Sequence, residues 1–219
     1  MSMTAKITEE TLYEALWGFS SNKEPSVAGV NVAVVGPKGA GKDTLGSILQ
    51  KYAKFEHLNF ADLLKEVCIQ KYGLTYEECY EPALKEKVLT RWPHVTPRQI
   101  MQEEAETSRK LYPDIWVKAW EDKISWSVDS DQNLLVTDLR YPNELEAFRK
   151  LQNNVVIYVM NPVVEEERRQ GIAKNDPRWM HESESHAPML RNFVNLLVVN
   201  SGRSLQGLEE NLAHSLHIL

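Results

Sequence analysis

The chain has 219 residues, of which 42% are hydrophobic, and a formal net charge of −6 at pH 7. This length suits one α/β domain with a small insert, and the acidic balance excludes the basic footprint of a protein that binds nucleic-acid polymers. The two cysteines lack the spacing of a metal site, so reduced thiols are the simpler interpretation. With no membrane-spanning stretch and no visible signal peptide, we expect a cytoplasmic protein.

The first predicted element is an amphipathic helix ahead of the core. Residues 1–27 are predicted to form a helical extension, because Leu12 and Leu16 recur at helical spacing. Turn-forming residues at 20–25 should end this helix. We expect it to pack on the protein's own core, with packing against a second copy in a homodimer as the alternative. Residues 28–219 should then form the main domain.

The next segment, residues 32–44, has the layout of a phosphate-binding P-loop: an apolar strand, a glycine-rich loop and a lysine that opens a helix. Glycines let the backbone wrap closely around phosphates, and the N-terminus of a helix attracts anions. A lysine at this point can bridge the β- and γ-phosphates of ATP. The alternative is a plain glycine turn between a strand and a helix. The predicted ATP-binding residues are Gly36, Lys38, Gly39, Ala40, Gly41, Lys42, Asp43 and Thr44.

The loop departs from the usual pattern at Asp43. A Ser or Thr that holds Mg²⁺ normally follows the lysine, whereas here Thr44 comes one residue later. A carboxylate can hold Mg²⁺ directly or through water, so Asp43 is the predicted metal ligand. Thr44 is placed to reach the α-phosphate.

A helical insert is predicted at about residues 75–127, where Glu, Lys and Trp recur at mostly helical spacing. Thr96 and Pro97 have the pattern of a helix start. Arg98 follows them, and we read it either as a phosphate ligand or as a surface residue. Trp116 is a candidate for stacking on a base, with core packing as the alternative.

A second cluster of charged residues follows a buried strand at 134–138. Asp138, Arg140 and Glu144 lie at the carboxyl end of that strand, which is the edge where open α/β sheets bind ligands. A guanidinium can hold a phosphate through its planar fork. The cluster therefore favours a site for a small phosphorylated substrate, and the alternative is an Asp–Arg pair that serves stability.

A lid is predicted at about residues 163–187. Arg168 and Arg169 follow the fourth strand, and a mobile arginine can neutralise charge on a transferred phosphoryl group. The alternative is a solvated run of charges with pairs three or four residues apart. The segment 181–186, which contains two histidines, is predicted to be part of a lid or loop edge rather than a metal site.

These elements predict a three-layer α/β fold of the P-loop NTPase type, with a five-stranded, mostly parallel sheet covered by helices on both faces. Strands are expected at 32–35, 55–60, 134–138, 155–159 and 193–199. A C-terminal helix should follow the turn at 200–202.

Four segments together resemble the bacteriophage deoxynucleoside monophosphate kinase family. They are residues 41–44, 60–65, 96–102 and 137–144, within a resemblance that spans about residues 30–205. The sequence differs from the family at 105–107, where members often carry Gly-Thr. The resemblance implies that ATP phosphorylates a deoxynucleoside monophosphate in the host cytoplasm. It assigns the loop residues to ATP, and it assigns Arg98, Trp116, Asp138, Arg140 and Glu144 to the monophosphate.

Our interpretation is therefore a kinase that uses ATP and Mg²⁺, in which Lys42, Arg140 and Arg168 (or Arg169) neutralise charge during transfer. One alternative keeps this transfer but changes the acceptor to another phosphorylated metabolite, such as phosphomevalonate or dephospho-coenzyme A. The other alternative is a nucleotide-binding switch with little transfer activity. An acceptor screen separates these three.

Overall fold

The fold is described from a computed structural model that covers residues 7–19, 29–129, 131–202 and 204–218, without the side chains of residues 177, 178 and 187. The predicted end of the first helix at 20–25 lies outside the described residues. The chain forms two compact units. Residues 60–126 make up a helical unit, and the flanking segments make up a sheet unit.

In the described residues, one or more helices separate each strand from the next. The strands are β1 Asn31–Val35, β2 Glu56–His57, β3 Leu134–Val136, β4 Asn154–Met160 and β5 Leu196–Val199. The helices are α1 Glu9–Phe19, α2 Lys42–Tyr52, α3 Asp62–Tyr72, α4 Tyr76–Tyr80, α5 Pro82–Lys85, α6 Pro97–Leu111, α7 Ile115–Ser127, α8 Pro142–Arg149, α9 Pro162–Ala173, α10 Pro177–Met180, α11 Glu182–Leu190 and α12 Leu205–Ser215. A 3₁₀ turn at Arg191–Phe193 precedes β5.

The five strands form one sheet in the order β2-β3-β1-β4-β5, and every neighbouring pair is parallel. β1 is central, and Val32 lies opposite Leu135 on one side and Val155 on the other. The sequence prediction of five strands is confirmed. Because the strands are parallel, their carboxyl ends and the loops that follow them lie at one edge of the sheet. This is the edge where ligands bind in such sheets.

One face of the sheet is covered by α1, α2 and α12. Leu12 and Leu16 of α1 are fully buried in a cluster that includes Val32, Val34 and Ile157 of the sheet. The N-terminal helix therefore packs on its own core, as its spacing predicts. Full burial of such a side chain contributes about 1.5–3 kcal/mol, so these two leucines fasten α1 to the sheet.

The opposite face of the sheet is buried as well. Ala33, Val35 and Tyr158 alternate with the residues of the first face and are inaccessible to solvent. The Tyr158 hydroxyl donates to Glu165 of α9 at 2.8 Å. Strands buried on both faces are typical of a parallel sheet between two helical layers, and the predicted three-layer P-loop fold is confirmed.

The helical unit has its own apolar core, formed by α3, α4, α6 and α7. Cys68, Cys79, Ile100, Met101 and Trp116 are buried together in this cluster. At its start, Phe60 stacks on Trp120 with ring centroids 4.2 Å apart. The unit begins at residue 60 and so includes α3 in addition to the predicted insert at 75–127.

The two thiols should be inert in the folded protein. Cys68 and Cys79 are fully buried, and burial together with the neighbouring Cys79 raises the pKa of Cys68 to about 12. We expect both to react with a thiol reagent at pH 8 at least about 10³-fold more slowly than in urea, because the core must open first. Labelling followed by mass spectrometry measures this rate, and fast native labelling would contradict the observed packing.

In the described parts of the chain, no helix combines the length and the apolar character needed to cross a membrane.

Candidate anion-binding site at the glycine loop

The glycine loop leaves β1 and enters α2 through three residues with positive φ: Gly36 at 148°, Gly39 at 81° and Gly41 at 102°. A Cβ on Gly36 would stand 2.6 Å from the carbonyl oxygen of Val159, so only glycine fits there. Gly41 also cannot carry a side chain, because its place is taken by the Asn200 amide. Asn200 follows β5 and donates to the Ala40 carbonyl at 2.8 Å, which holds the loop in shape.

Gly41 is the residue before the first turn of α2 and has no side chain to cap it. The first N–H groups of a helix have no partner within the helix, and they carry its positive partial charge. The open end of α2 is therefore suited to a phosphate. Thr44 and Asp43 lie in this turn and are exposed, whereas Ala40 is buried in the loop.

Lys42 is 7% exposed, and its ammonium donates to the carbonyl oxygens of Gly36 and Pro37, each at 2.9 Å. Burial and then the Arg140 guanidinium lower the pKa of Lys42 to about 7, against the opposite effect of nearby carboxylates. Burial is the main cause of this shift, and additional negative charge beside the ammonium would oppose it. A bound phosphate would supply that charge.

Asp43 is held by a residue that follows β3. The Thr137 hydroxyl donates to an Asp43 carboxylate oxygen at 2.9 Å. Thr137 is itself anchored, because its N–H donates to the Asn59 side chain at 2.8 Å and its hydroxyl lies 3.1 Å from His57 Nε2. Asp43 is thus oriented at the helix N-terminus rather than left to rotate.

Arg140 lies against the loop through a residue of α11. Its guanidinium donates to one oxygen of Glu184, whose other oxygen accepts the N–H of Lys38 at 2.9 Å. The Ser183 hydroxyl is 3.4 Å from the same guanidinium nitrogen. Burial alone would raise the pKa of Glu184, but Arg140, the Lys38 N–H and Lys42 together hold it below its usual value. Glu184 is therefore a buried carboxylate surrounded by positively charged groups and an N–H donor.

The other two members of the predicted acidic and basic cluster lie beside Arg140. The Glu144 carboxylate is buried and accepts the backbone N–H groups of Arg140 and Tyr141, at 2.7 and 3.0 Å. In this geometry Glu144 fixes the backbone that carries Arg140. Asp138 is half-buried and acts electrostatically on Lys42, which puts it at the same edge of the sheet.

The predicted lid, residues 163–187, contains helices α9, α10 and the start of α11. Arg169 is exposed and pairs with Glu166, as in the alternative of a solvated charge run. Arg168 is partly buried near Tyr158, and no described atom accepts the hydrogen of its Nε. A catalytic role for Arg168 stays a prediction.

The two predicted monophosphate ligands of the helical unit have partners within that unit. Arg98 pairs with Glu86. Trp116 is 5% exposed, and its indole N–H donates to the Ala105 carbonyl at 3.3 Å. Their roles in substrate binding stay predictions. The same unit has a cavity of about 390 Å³ lined by Lys71, Tyr72, Trp92, Ile100, Glu103, Glu104 and Thr107.

The residues present fit a nucleoside triphosphate and a Mg²⁺ ion. The open helix end, the glycine backbone and the buried ammonium of Lys42 are suited to phosphates. Asp43 and Asp138 are the carboxylates at this edge that would hold the metal. In the described residues no cluster of three metal-ligating side chains occurs.

Comparisons with known proteins give a sequence relative and a set of similar solved structures, of which three are described below. No family model matches the chain. A protein of Acanthamoeba polyphaga mimivirus described as a "Putative deoxynucleotide monophosphate kinase" is 27% identical over 183 aligned residues. The alignment covers 78% of this chain and 89% of that protein.

The structures are TT1252 from Thermus thermophilus (18% identity, 88% of this chain and 98% of that one, TM-score 0.47), a dephospho-CoA kinase from Campylobacter jejuni (12%, 86% and 98%, 0.47) and a shikimate kinase from Acinetobacter baumannii with shikimate (17%, 91% and 93%, 0.42). Similarities of this size do not establish a shared activity.

Proposed function

We propose that this chain is a P-loop phosphotransferase that moves the γ-phosphate of ATP to a deoxynucleoside 5′-monophosphate. The observation that carries the proposal is that the glycine loop, Lys42 and Arg140 lie together at the carboxyl edge of the sheet, where the loop and Arg140 share the Glu184 carboxylate. The choice of acceptor is supported by the description of the mimivirus relative and by the resemblance of residues 137–144 to the phage kinases.

On the donor side, the loop backbone from Gly36 to Thr44 would hold the triphosphate. Its N–H groups would donate to the phosphates, and Lys42 would turn from the carbonyls of Gly36 and Pro37 to the phosphate oxygens. Mg²⁺, when bound, neutralises charge on these oxygens. Asp43, kept in place by Thr137, is the residue of this chain that would orient it.

On the acceptor side, Arg140 would bind the phosphate of the monophosphate through its planar guanidinium. Glu144 keeps the backbone of Arg140 in place, and Asp138 orients the substrate or the metal. Arg98 and Trp116 complete the acceptor residues that we propose. For Arg98 this requires exchanging its pair with Glu86 for a phosphate.

The chemistry needs no strong base. A monophosphate dianion is already a nucleophile at neutral pH, so the protein has to align its oxygen with the γ-phosphorus and neutralise the charge of the transition state. Lys42 and Arg140 would supply the positive charge that does this. Arg168 is our candidate for a third positive group. Its Nε has no acceptor among the described atoms.

A coupled assay of ADP formation tests the proposal. The purified chain is given ATP and Mg²⁺ with each of the four common dNMPs, with their ribonucleotide counterparts, with dephospho-coenzyme A, with phosphomevalonate, and without acceptor. We expect at least one dNMP to raise ADP formation far above the rate without acceptor. Turnover only with a non-nucleotide acceptor, or slow hydrolysis that no acceptor changes, would contradict the proposal.

A further inference from the structure

The Glu184 carboxylate lies on the glycine loop, although it belongs to a helix more than a hundred residues away in sequence. One of its oxygens accepts the Lys38 N–H at 2.9 Å, and the other accepts the Arg140 guanidinium. The side chain is 4% exposed. A carboxylate with this little access to water has to be held by its partners, because burial of an unpaired charge is very costly.

The partners of Glu184 are those that a phosphate would use. A backbone N–H of the glycine loop and a guanidinium donate to it, and the nearby ammonium of Lys42 acts on it electrostatically. Such charge-assisted donors are what a P-loop presents to phosphate oxygens. The Lys42 ammonium meanwhile donates to loop carbonyls. The loop is thus satisfied by groups of the protein itself.

We propose that Glu184 is an internal phosphate mimic, whose carboxylate holds the loop in the nucleotide-free chain and is displaced when a triphosphate binds. This inference rests on the proposed function, in that it takes the loop as the donor site. The Lys38 N–H has one hydrogen and makes one strong bond with it, to the carboxylate or to a phosphate. Two anions at the same donors also repel each other.

The displacement has a second consequence, because Glu184 occupies Arg140 as well as the loop. When the triphosphate displaces Glu184 from the loop, the guanidinium of Arg140 loses its carboxylate partner. It can then donate hydrogen bonds to the phosphate of a second substrate. Binding of the donor therefore prepares the acceptor position. A residue that merely positioned Arg140 would instead keep its contact after ATP binds.

A phosphate mimic and a residue that merely positions Arg140 predict different effects of Glu184→Gln on nucleotide affinity. The amide keeps the shape of the side chain but loses the charge that competes with phosphate. We expect the full-length variant to bind a fluorescent ATP analogue, and inorganic tripolyphosphate in competition with it, about tenfold more tightly than the wild type. Unchanged or weaker binding would overturn the inference.

Glu182→Gln is the matched control, since it removes the same charge from the same helix. Glu182 is exposed and faces His186 rather than the loop. We expect its affinity to equal that of the wild type, and an equal gain in both variants would show a general charge effect and overturn the inference. If Glu184→Gln does not fold, Glu184→Asp takes its place, because the shorter side chain cannot span both partners and should also tighten binding.

Turnover with dNMPs is measured on the same samples, so that the two proposals fail separately. Tighter binding without turnover on any dNMP would support the mimic and contradict the proposed kinase. Turnover with unchanged affinity would support the kinase and overturn the mimic. No binding of either probe to any variant would overturn both.

Discussion

Lys42→Met is expected to reduce phosphoryl transfer by about 10³-fold, which is the loss seen when one preorganised donor to a transition state is removed. The ammonium of Lys42 is buried at the base of the loop and is held by two carbonyl oxygens. In the proposed reaction it would follow the γ-phosphate during transfer. Steady-state kinetics with saturating ATP and dNMP measure the effect on kcat.

The fold should survive this change. Methionine fills the space of the lysine stem, and the substitution removes an ammonium whose burial is unfavourable. We therefore expect the free energy of unfolding in urea to stay within about 1 kcal/mol of the wild type. Lys51→Met is the control on the same helix, because Lys51 is exposed and pairs with Glu209. Near-normal turnover of Lys42→Met would refute its catalytic role.

Arg140→Ala is expected to raise the KM for the monophosphate between about 10- and 100-fold, the size of one or two hydrogen bonds to a charged group. The KM for ATP should change much less. Arg140→Lys keeps the charge but not the planar fork, so it should fall between the alanine variant and the wild type. Initial rates at varied dNMP and fixed ATP give these constants.

The alternative for Arg140 is that it serves stability through its pair with Glu184. Removal of the arginine alone leaves a buried carboxylate without its ionic partner, which is destabilising whatever the role in binding. The double variant Arg140→Ala with Glu184→Gln has no such stranded charge. If its stability returns while the KM for the monophosphate stays high, Arg140 binds substrate. If the KM returns as well, the pair is structural.

The sequence predicted the sheet well because strands buried on both faces are short apolar runs. Val32–Val35 and Val155–Val159 have no polar residue, and the observed strands extend them by one residue at one or both ends. The shorter β2, β3 and β5 were predicted at the right place but too long. Residues 58–60 after β2 and residues 137–138 after β3 lie in the loops at the carboxyl edge of the sheet.

The loop was equally predictable, because three glycines and a lysine at fixed spacing leave little choice of backbone. The contact between Glu184 and the loop was not. Its partners Lys38 and Arg140 are 146 and 44 residues away, and no local pattern marks a glutamate in a polar segment as one that will be buried. Thr137, Asn59 and Asn200 were missed as well. Each follows a strand, so the rule that ligands gather at the carboxyl edge of parallel strands could have indicated them.

The central position of β1 bears on how the protein folds. Asn31 of β1 pairs with Leu134 and Asn154, which follow it by more than a hundred residues. As the chain leaves the ribosome, β1 is complete long before either neighbour exists, and its apolar edge is open during that time. The helical unit at 60–126 consists of nearer neighbours in sequence, whose contacts form faster. This unit can collapse first, whereas β1, which precedes the glycine loop, can pair with its neighbours only after the second half of the chain has been made.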